Sequence, residues 1–259
     1  MPQLEGVQFA EVGVDDHKLD KRNTVFVADS WEPNELIRNV IRNDYSFVLQ
    51  RNTPFMEEDF AAAAQIIKNK DEFFAHPGRA ILSEFRNHVS FDFHSTEEKE
   101  SLLKKVEFFL LFNPGHGQRV VESVEAIVEE LYMNALFDAP VEAEKLGFAG
   151  DLYKKGMKAT LNLSESESRL VITCSDPFGA MNFSRFLSRL DEIYEKGAGK
   201  VINFGTGGSG IGCYIMFEHC STMFVGVQPG KKTVVSCVLP LKMNYRQRCF
   251  IRKALCLVR

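Results

Sequence analysis

The sequence predicts an α/β protein, on three observations. Apolar segments at 24–28 and 45–49 flank a helical stripe of Leu36, Ile37, Val40 and Ile41, a β-α-β opening of the kind that builds an α/β layer. Two long helix-patterned runs follow, 95–112 and 118–137. Two strand pairs, 157–163 with 169–174 and 222–227 with 233–239, are each joined by turn-forming residues. A chain of 259 residues can hold one large domain or two small ones.

Taken in order, residues 1–21 are polar and read as an N-terminal tail. Strand 24–28 leads to a helix that Asp29 or Ser30 could cap, with Pro33 tolerated in its first turn. After strand 45–49 come helix-like segments at 57–67 and 80–85, and 88–93 alternates like a strand. Ser95-Thr96-Glu97-Glu98 has capping-box spacing and opens a helix that Asn113-Pro114-Gly115 stops. The next helix, 118–137, puts Val121, Val124, Val128, Leu131 and Ala135 on one buried face, and Pro140 is read as closing it. Strands 157–163 and 169–174 turn through Ser164-Glu165-Ser166-Glu167-Ser168. A helix at 186–194 precedes Gly205-Thr206-Gly207-Gly208-Ser209-Gly210-Ile211-Gly212, which runs into an apolar helix at 211–217. The last hairpin turns on Pro229-Gly230-Lys231-Lys232. Residues 246–259 mix Arg246, Arg248, Arg252 and Lys253 with apolar residues. They read as a basic amphipathic helix, either for an acidic partner or membrane surface or packed on its own domain.

Composition narrows the function classes. The chain is 45% hydrophobic and 25% charged, ordinary for a globular protein, with 22 Phe against one Trp, so a Phe-rich core is expected. A net charge of −4 argues against bulk nucleic-acid binding. No apolar run reaches the roughly 18 residues of a membrane span, and no secretory signal is read at the N-terminus. Cys174, Cys213, Cys220, Cys237, Cys249 and Cys256 form no CxxC pair and read as buried thiols in a reducing cytoplasm. The expected localisation is cytoplasmic.

Five glycines in eight residues opening a helix present free backbone N–H groups at the positive end of the helix dipole, a ready phosphate site. Two common phosphate motifs do not fit. Gly199-Lys200 lacks the first glycine of a P-loop, and the glycine loop lies too late in the chain, with no βαβ unit after it, for a dinucleotide fingerprint. Glu130 and Asn134, four residues apart, share one helix face with Ile127 and Leu131, and Asp138 continues it. Read alone, that is as well explained by a solvated helix edge. Asp176-Pro177-Phe178-Gly179 follows a strand and, read alone, is a turn; its other reading is a carboxylate that accepts from a base edge.

In this order, Glu130-Leu131-Tyr132-Met133-Asn134-Ala135, Asp176-Pro177-Phe178-Gly179 and Gly208-Ser209-Gly210-Ile211-Gly212 resemble the histidine-kinase-like ATPase superfamily of gyrase, the heat-shock chaperone, histidine kinases and mismatch-repair ATPases. Gly230, Thr233 and Leu239-Pro240-Leu241 resemble its closing hairpin. The resemblance covers about 96–243 and implies a two-layer α/β (α+β) sandwich, a mixed sheet covered on one face by helices. Domain bounds follow as 1–21 tail, 22–95 small α/β module, 96–245 ATPase domain and 246–259 tail. The start of the small module, Val25-Phe26-Val27-Ala28-Asp29, resembles a degenerate receiver domain.

The resemblance also implies roles. Asn134 would hold Mg²⁺ together with triphosphate oxygens, and Asp138 lies beside it in the nucleotide site. Glu130 would be the general base. Asp176 would accept from the adenine amine, with Gly179 close to the base and Thr233 supporting the carboxylate. Gly208, Ser209, Gly210, Ile211 and Gly212 would cradle the phosphates, and residues between 180 and 207 would form the lid. The superfamily's D-x-G-x-G box departs here, with Phe178 and Ala180 at its glycine positions, and Cys213 stands for the usual Leu. None of His17, His76, His88, His94 and His116 sits in a phospho-acceptor context, which leaves the anti-sigma-factor serine kinases as the most similar type. The implied function is signal transduction: a regulatory ATP-binding protein that phosphorylates a partner protein on Ser or Thr. The alternatives are a nucleotide-occupancy switch without transfer and a pseudo-kinase scaffold. The implied ligands are ATP or ADP with Mg²⁺. A regulatory protein is the expected partner and a homodimer is allowed, with no nucleic acid and no transmembrane segment.

Overall fold

Successive side chains of a strand point to opposite faces, so a strand apolar at every position has to be covered twice. Several segments of this chain are of that kind. Thr24–Ala28, Phe47–Gln50 and Ala254–Val258 are buried at every residue. The computed structural model describes residues 7–12, 19–51, 53, 55–112, 116–147, 156–201, 211–243, 247 and 250–259. The protein is α/β, and its described residues form one mixed sheet of nine strands.

The chain runs β1 (Gln8–Glu11), β2 (Thr24–Ala28), α1 (Pro33–Asn43), β3 (Phe47–Gln50), α2 (Met56–Lys68), α3 (Lys70–Ala75), α4 (Pro77–Ile81) and β4 (Asn87–Phe93). A 3-10 turn (Thr96–Glu98) opens α5 (Lys99–Leu111). Then come α6 (Gln118–Met133), a π-helical turn (Asn134–Asp138), α7 (Ala139–Lys145), β5 (Ala159–Glu165) and β6 (Arg169–Asp176). The last elements are α8 (Phe183–Lys196), α9 (Ala198–Val201), α10 (Gly212–His219), β7 (Thr222–Gln228), β8 (Lys232–Pro240) and β9 (Ala254–Val258). In space the strands lie in the order β1-β2-β3-β9-β7-β8-β6-β5-β4.

The expectation of helices on one face of the sheet is corrected by the packing. Phe26, Val48, Leu255, Met223, Val235 and Ile172 point into a core shared with α1, α5, α6, α8 and α10. Their strand neighbours Val25, Phe47, Cys256, Phe224, Val234 and Val171 point into a second core with α2, α3 and α4. The sheet therefore has helices on both faces, and it contains strands from either side of residue 95. The physical reason is the unbroken apolar character of the central strands.

Four local expectations also change. The 246–259 helix is replaced by β9, which lies between β3 (antiparallel) and β7 (parallel) and completes both ladders. Its basic residues are engaged: Arg252 pairs with Glu32, and Lys253 Nζ donates to the carbonyls of Glu218 (2.6 Å) and Cys220 (2.8 Å). Within the 1–21 tail, Gln8–Glu11 pairs in parallel with β2. Helix α1 is capped by Glu32, whose N–H donates to Glu35 Oε2 at 3.0 Å, with neither Asp29 nor Ser30 in the capping position. Pro140 does not close α6. The π turn carries the chain past it, with Ala139 N–H on Asn134 O, and Pro140 sits in the first turn of α7, where a missing N–H costs nothing. Of the cysteines, Cys174, Cys220, Cys237 and Cys256 are buried free thiols, Cys213 is half-buried, and Cys249 lies outside the described residues. Among the described residues no helix is long and apolar enough to cross a membrane.

Candidate functional site

Strand alternation decides where the carboxylate of Asp176 points. In β6, Leu170, Ile172 and Cys174 face α6, so Asp176 at the strand end faces the same way. Thr233 lies directly opposite it on β8, in phase with Val235 and Cys237, and faces α6 too. The π turn after α6 packs against β6. Asp176, Thr233 and the Asn134–Asp138 segment thus share one side of the sheet.

Burial raises the Asp176 pKa to about 6, against the opposing effects of the Phe178 N–H on Oδ1 at 2.9 Å, the Thr233 hydroxyl, the Gly179 N–H and the Lys232 charge. The Thr233 hydroxyl stands close enough to favour the ionised carboxylate. In strict geometry its Oγ1 is nevertheless buried without a hydrogen-bond partner. A buried hydroxyl left this way costs about 1–3 kcal/mol, so a partner is wanted. Lys232, which no motif singles out, flanks the pair; its Nζ donates to Phe74 O at 2.7 Å, and desolvation lowers its pKa against the pull of Asp176. Its adjacency to Thr233 was the available signal.

Gly179 has φ +60, and a Cβ there would lie 2.0 Å from Gln228 O. The space beside this glycine is filled by the β7–β8 turn, which also gives Gly230 N–H to Gly179 O at 3.3 Å. Phe178 and Ala180, at the box's glycine positions, are buried with Ala143 of α7 in a small core of their own.

Glu130 is half-buried on α6. Its pKa is raised first by desolvation, then by Glu129 and Asp138, with Lys99 opposing. Asp138 is exposed in the π turn; desolvation by its surroundings raises its pKa, while Arg185 opposes and Glu142 adds to the rise. Asn134 starts the turn, half-buried, its carbonyl occupied by Ala139. Wide turns of this type are frequent at functional sites. A close long-range approach lies at Gly212, the first residue of α10. A Cβ there would sit 2.2 Å from Glu130 Oε2 and 3.1 Å from its Cδ. Ile211 is the residue before the helix, and no side chain caps this end. The Glu130 carboxylate therefore lies beside the first residue of α10.

Gly208, Ser209 and Gly210 lie outside the described residues, as does 202–207 of the expected lid. Much of the rest of that lid is core. Phe186, Leu187, Leu190 and Ile193 of α8 are buried, and Asp191 holds Arg38 of α1 at 2.9 Å.

Gly212→Ala is expected to move a side chain rather than a helix. The obstructing atoms belong to the free end of Glu130, which can swing away, so stability should stay within about 1 kcal/mol of the parent by thermal unfolding. A loss above about 2 kcal/mol would show that Glu130 is locked in place.

The chain matches no protein-family model, and no curated protein matches it.

Proposed function

We propose that this protein binds Mg-ATP between α6, β6, β8 and the start of α10, and that it is a regulatory protein which transfers the γ-phosphoryl group to Ser or Thr of a partner protein. The observation that carries the reading is the meeting of Glu130 with Gly212, which joins the end of the glycine loop to the helix bearing Asn134. The Thr233 hydroxyl without a partner beside Asp176 supports a ligand at the other end. In this reading Asp176 accepts from the base amine and Thr233 completes that contact. The first-turn N–H groups of α10 hold phosphate oxygens.

The donor set suits magnesium. Asn134 offers one amide oxygen, and Mg²⁺ takes few protein ligands beside phosphate and water. The ion would neutralise phosphate charge. Glu130, with its raised proton affinity, would orient the attacking hydroxyl and receive its proton. A second reading, a nucleotide-occupancy or pseudo-kinase module without transfer, is favoured by the sealing of Phe178 and Ala180 in their own core.

Thermal unfolding with Mg-ATP, Mg-ADP and Mg-GTP tests both. Ligand at a hundred times its dissociation constant adds about 2.7 kcal/mol, or roughly 5–10 °C in a chain of this size. Asn134→Ala should remove the magnesium-dependent part. Glu130→Ala should keep binding and stop turnover, and Gly212→Ala should lower turnover by displacing the same carboxylate. No shift with any nucleotide sinks both readings; a shift without turnover of any protein substrate leaves the switch.

Asp176→Asn separates the site from the scaffold. The folded pKa of about 6 lies above the ordinary 3.8, so the fold prefers the protonated form. Stability from this group is fully present below about pH 4 and is lost as pH rises through about 6, by about 1–3 kcal/mol. Asn keeps an acceptor for the Phe178 and Gly179 N–H groups and does not titrate. Urea unfolding should therefore show Asp176→Asn at least as stable as the parent at neutral pH, with the gap closing in acid, while the ATP-induced shift is lost. A variant less stable at neutral pH than in acid, relative to the parent, contradicts this.

A further inference from the structure

The nucleotide reading uses one part of the sheet and leaves its far edge unexplained. There β4 pairs with β5 through all seven of its residues, and among the described residues no strand takes its other side. Folded proteins usually protect such an edge with proline, inward charge, a bulge or a cover, because an open ladder pairs with other chains. β4 is long for an edge and contains no proline. A cleft of 1080 Å³ opens between it and α5. Val89 and Phe91 line the cleft from one face of β4 and His88 lines it from the other, so the cleft follows the outer edge of the strand itself. On the helix side are Phe108 and Phe112, with ring centroids 4.2 Å apart; they and Leu111 are 60–68% exposed.

We propose that β4 and α5 form the surface on which two copies of this chain join, β4 against β4, into one continuous sheet. The strand is complementary to itself. Antiparallel pairing centred on Ser90 is the register that uses all seven residues, and it sets Asn87 against Phe93, His88 against Asp92, and Val89 against Phe91. Polar residues meet on the exposed face; on the face under α5, Val89 meets Phe91 and Asn87 flanks Phe93. His88 already engages Ser164 Oγ through Nδ1 at 2.9 Å, which leaves Nε2 to approach the second copy's Asp92, whose carboxylate also accepts from Thr160 Oγ1 at 2.9 Å and pairs with Lys158 at 3.4 Å. A shift by one residue would set Val89 against residues of the opposite face.

The helix is complementary as well. A twofold axis normal to the sheet keeps both α5 helices on the same side, side by side and antiparallel. The cleft is acidic at the N-terminal end of this segment (Glu97, Glu100) and basic further along (Lys104, Lys105). Antiparallel packing lays the acidic end of each copy beside the basic and aromatic half of the other, and it covers the exposed Phe108, Leu111 and Phe112. Match of strand register and of helix charge together selects a second copy over the strand of an unrelated protein.

Sedimentation of the full chain tests this. The parent should sediment as a dimer at micromolar concentration. Ser90→Lys puts two like charges face to face at the centre of the pairing. It should raise the dissociation constant at least about tenfold, with the melting temperature of the monomer unchanged. Phe108→Glu, on the exposed helix face, should act in the same direction. Ser90→Cys supplies the positive arm: opposed strand positions are within disulfide reach, so oxidised Ser90→Cys should run as a covalent dimer and the parent should not. A monomeric parent at sub-millimolar concentration overturns the proposal and assigns the edge to another chain. A dimer insensitive to Ser90→Lys that Ser90→Cys cannot crosslink overturns it equally.

Discussion

Asp59→Ala is expected to cost about 3–5 kcal/mol, the largest loss from any single truncation proposed for this protein. Asp59 on α2 accepts from Arg169 Nη1 at 2.9 Å and from the Thr222 hydroxyl at 2.7 Å, with both charged side chains about 95% buried. The cluster fastens α2 to β6 and β7 on the second face of the sheet. Removing the carboxylate leaves a buried guanidinium without its counter-charge, beside the Phe55 ring at 5.8 Å. Burial raises the Asp59 pKa to about 6 despite Arg169, a sign that desolvation outweighs attraction at this site. The pair should therefore be replaceable: Asp59→Leu combined with Arg169→Met should recover most of the loss, because neither charge is then left alone. Urea unfolding of the two single variants and the double variant gives the coupling. A single-variant loss below about 1 kcal/mol would mean that water or a nearby group rescues Arg169.

Gly179→Ala should cost about 3 kcal/mol or more, lowering the melting temperature by at least roughly 6 °C. Two effects add. A φ of +60 is strained for any residue with a Cβ, by about 1–2 kcal/mol. The new methyl would also lie 2.0 Å from Gln228 O and 2.8 Å from Lys231 N, both backbone atoms of a hairpin turn that cannot rotate aside. Gly212→Ala should behave differently. There the obstacle is the mobile end of Glu130, and the penalty should appear in turnover rather than in stability. If the two alanine variants melt alike, the distinction between a structural and a functional glycine fails. Under the proposed nucleotide reading, the variant should also weaken the ATP-induced shift, because Gly179 follows Asp176 closely, but only with a matching loss of stability.

The legibility of this fold varied by element for identifiable reasons. Strands β2, β4, β6, β7 and β8 and helices α1, α2, α6 and α8 were readable within a few residues, because a period of 2 or 3.6 is written into adjacent positions. Asp176 and Thr233 both appeared as candidates from the sequence, and their cross-strand pairing confirms that they are neighbours. Lys232 was passed over, since a lysine in a hairpin turn ordinarily faces water. β9 reads as a helix because Phe250, Ile251, Leu255, Leu257 and Val258 fit a helical wheel as well as a strand, and nothing local tells the two apart. β1 was missed because four residues with exposed ends carry almost no pattern.

The sequence by itself determined the α/β class and the position of most elements, which follow from short-range periodicity and turn chemistry. Only the tertiary structure decided that both faces of the sheet are covered, that the C-terminal segment fills the slot between β3 and β7, and that Glu130 lies against Gly212. Those outcomes depend on which distant segments compete for the same hydrogen-bond ladder and the same apolar surface. Such competition is settled by the free energy of the whole chain, and no window of neighbouring residues contains it.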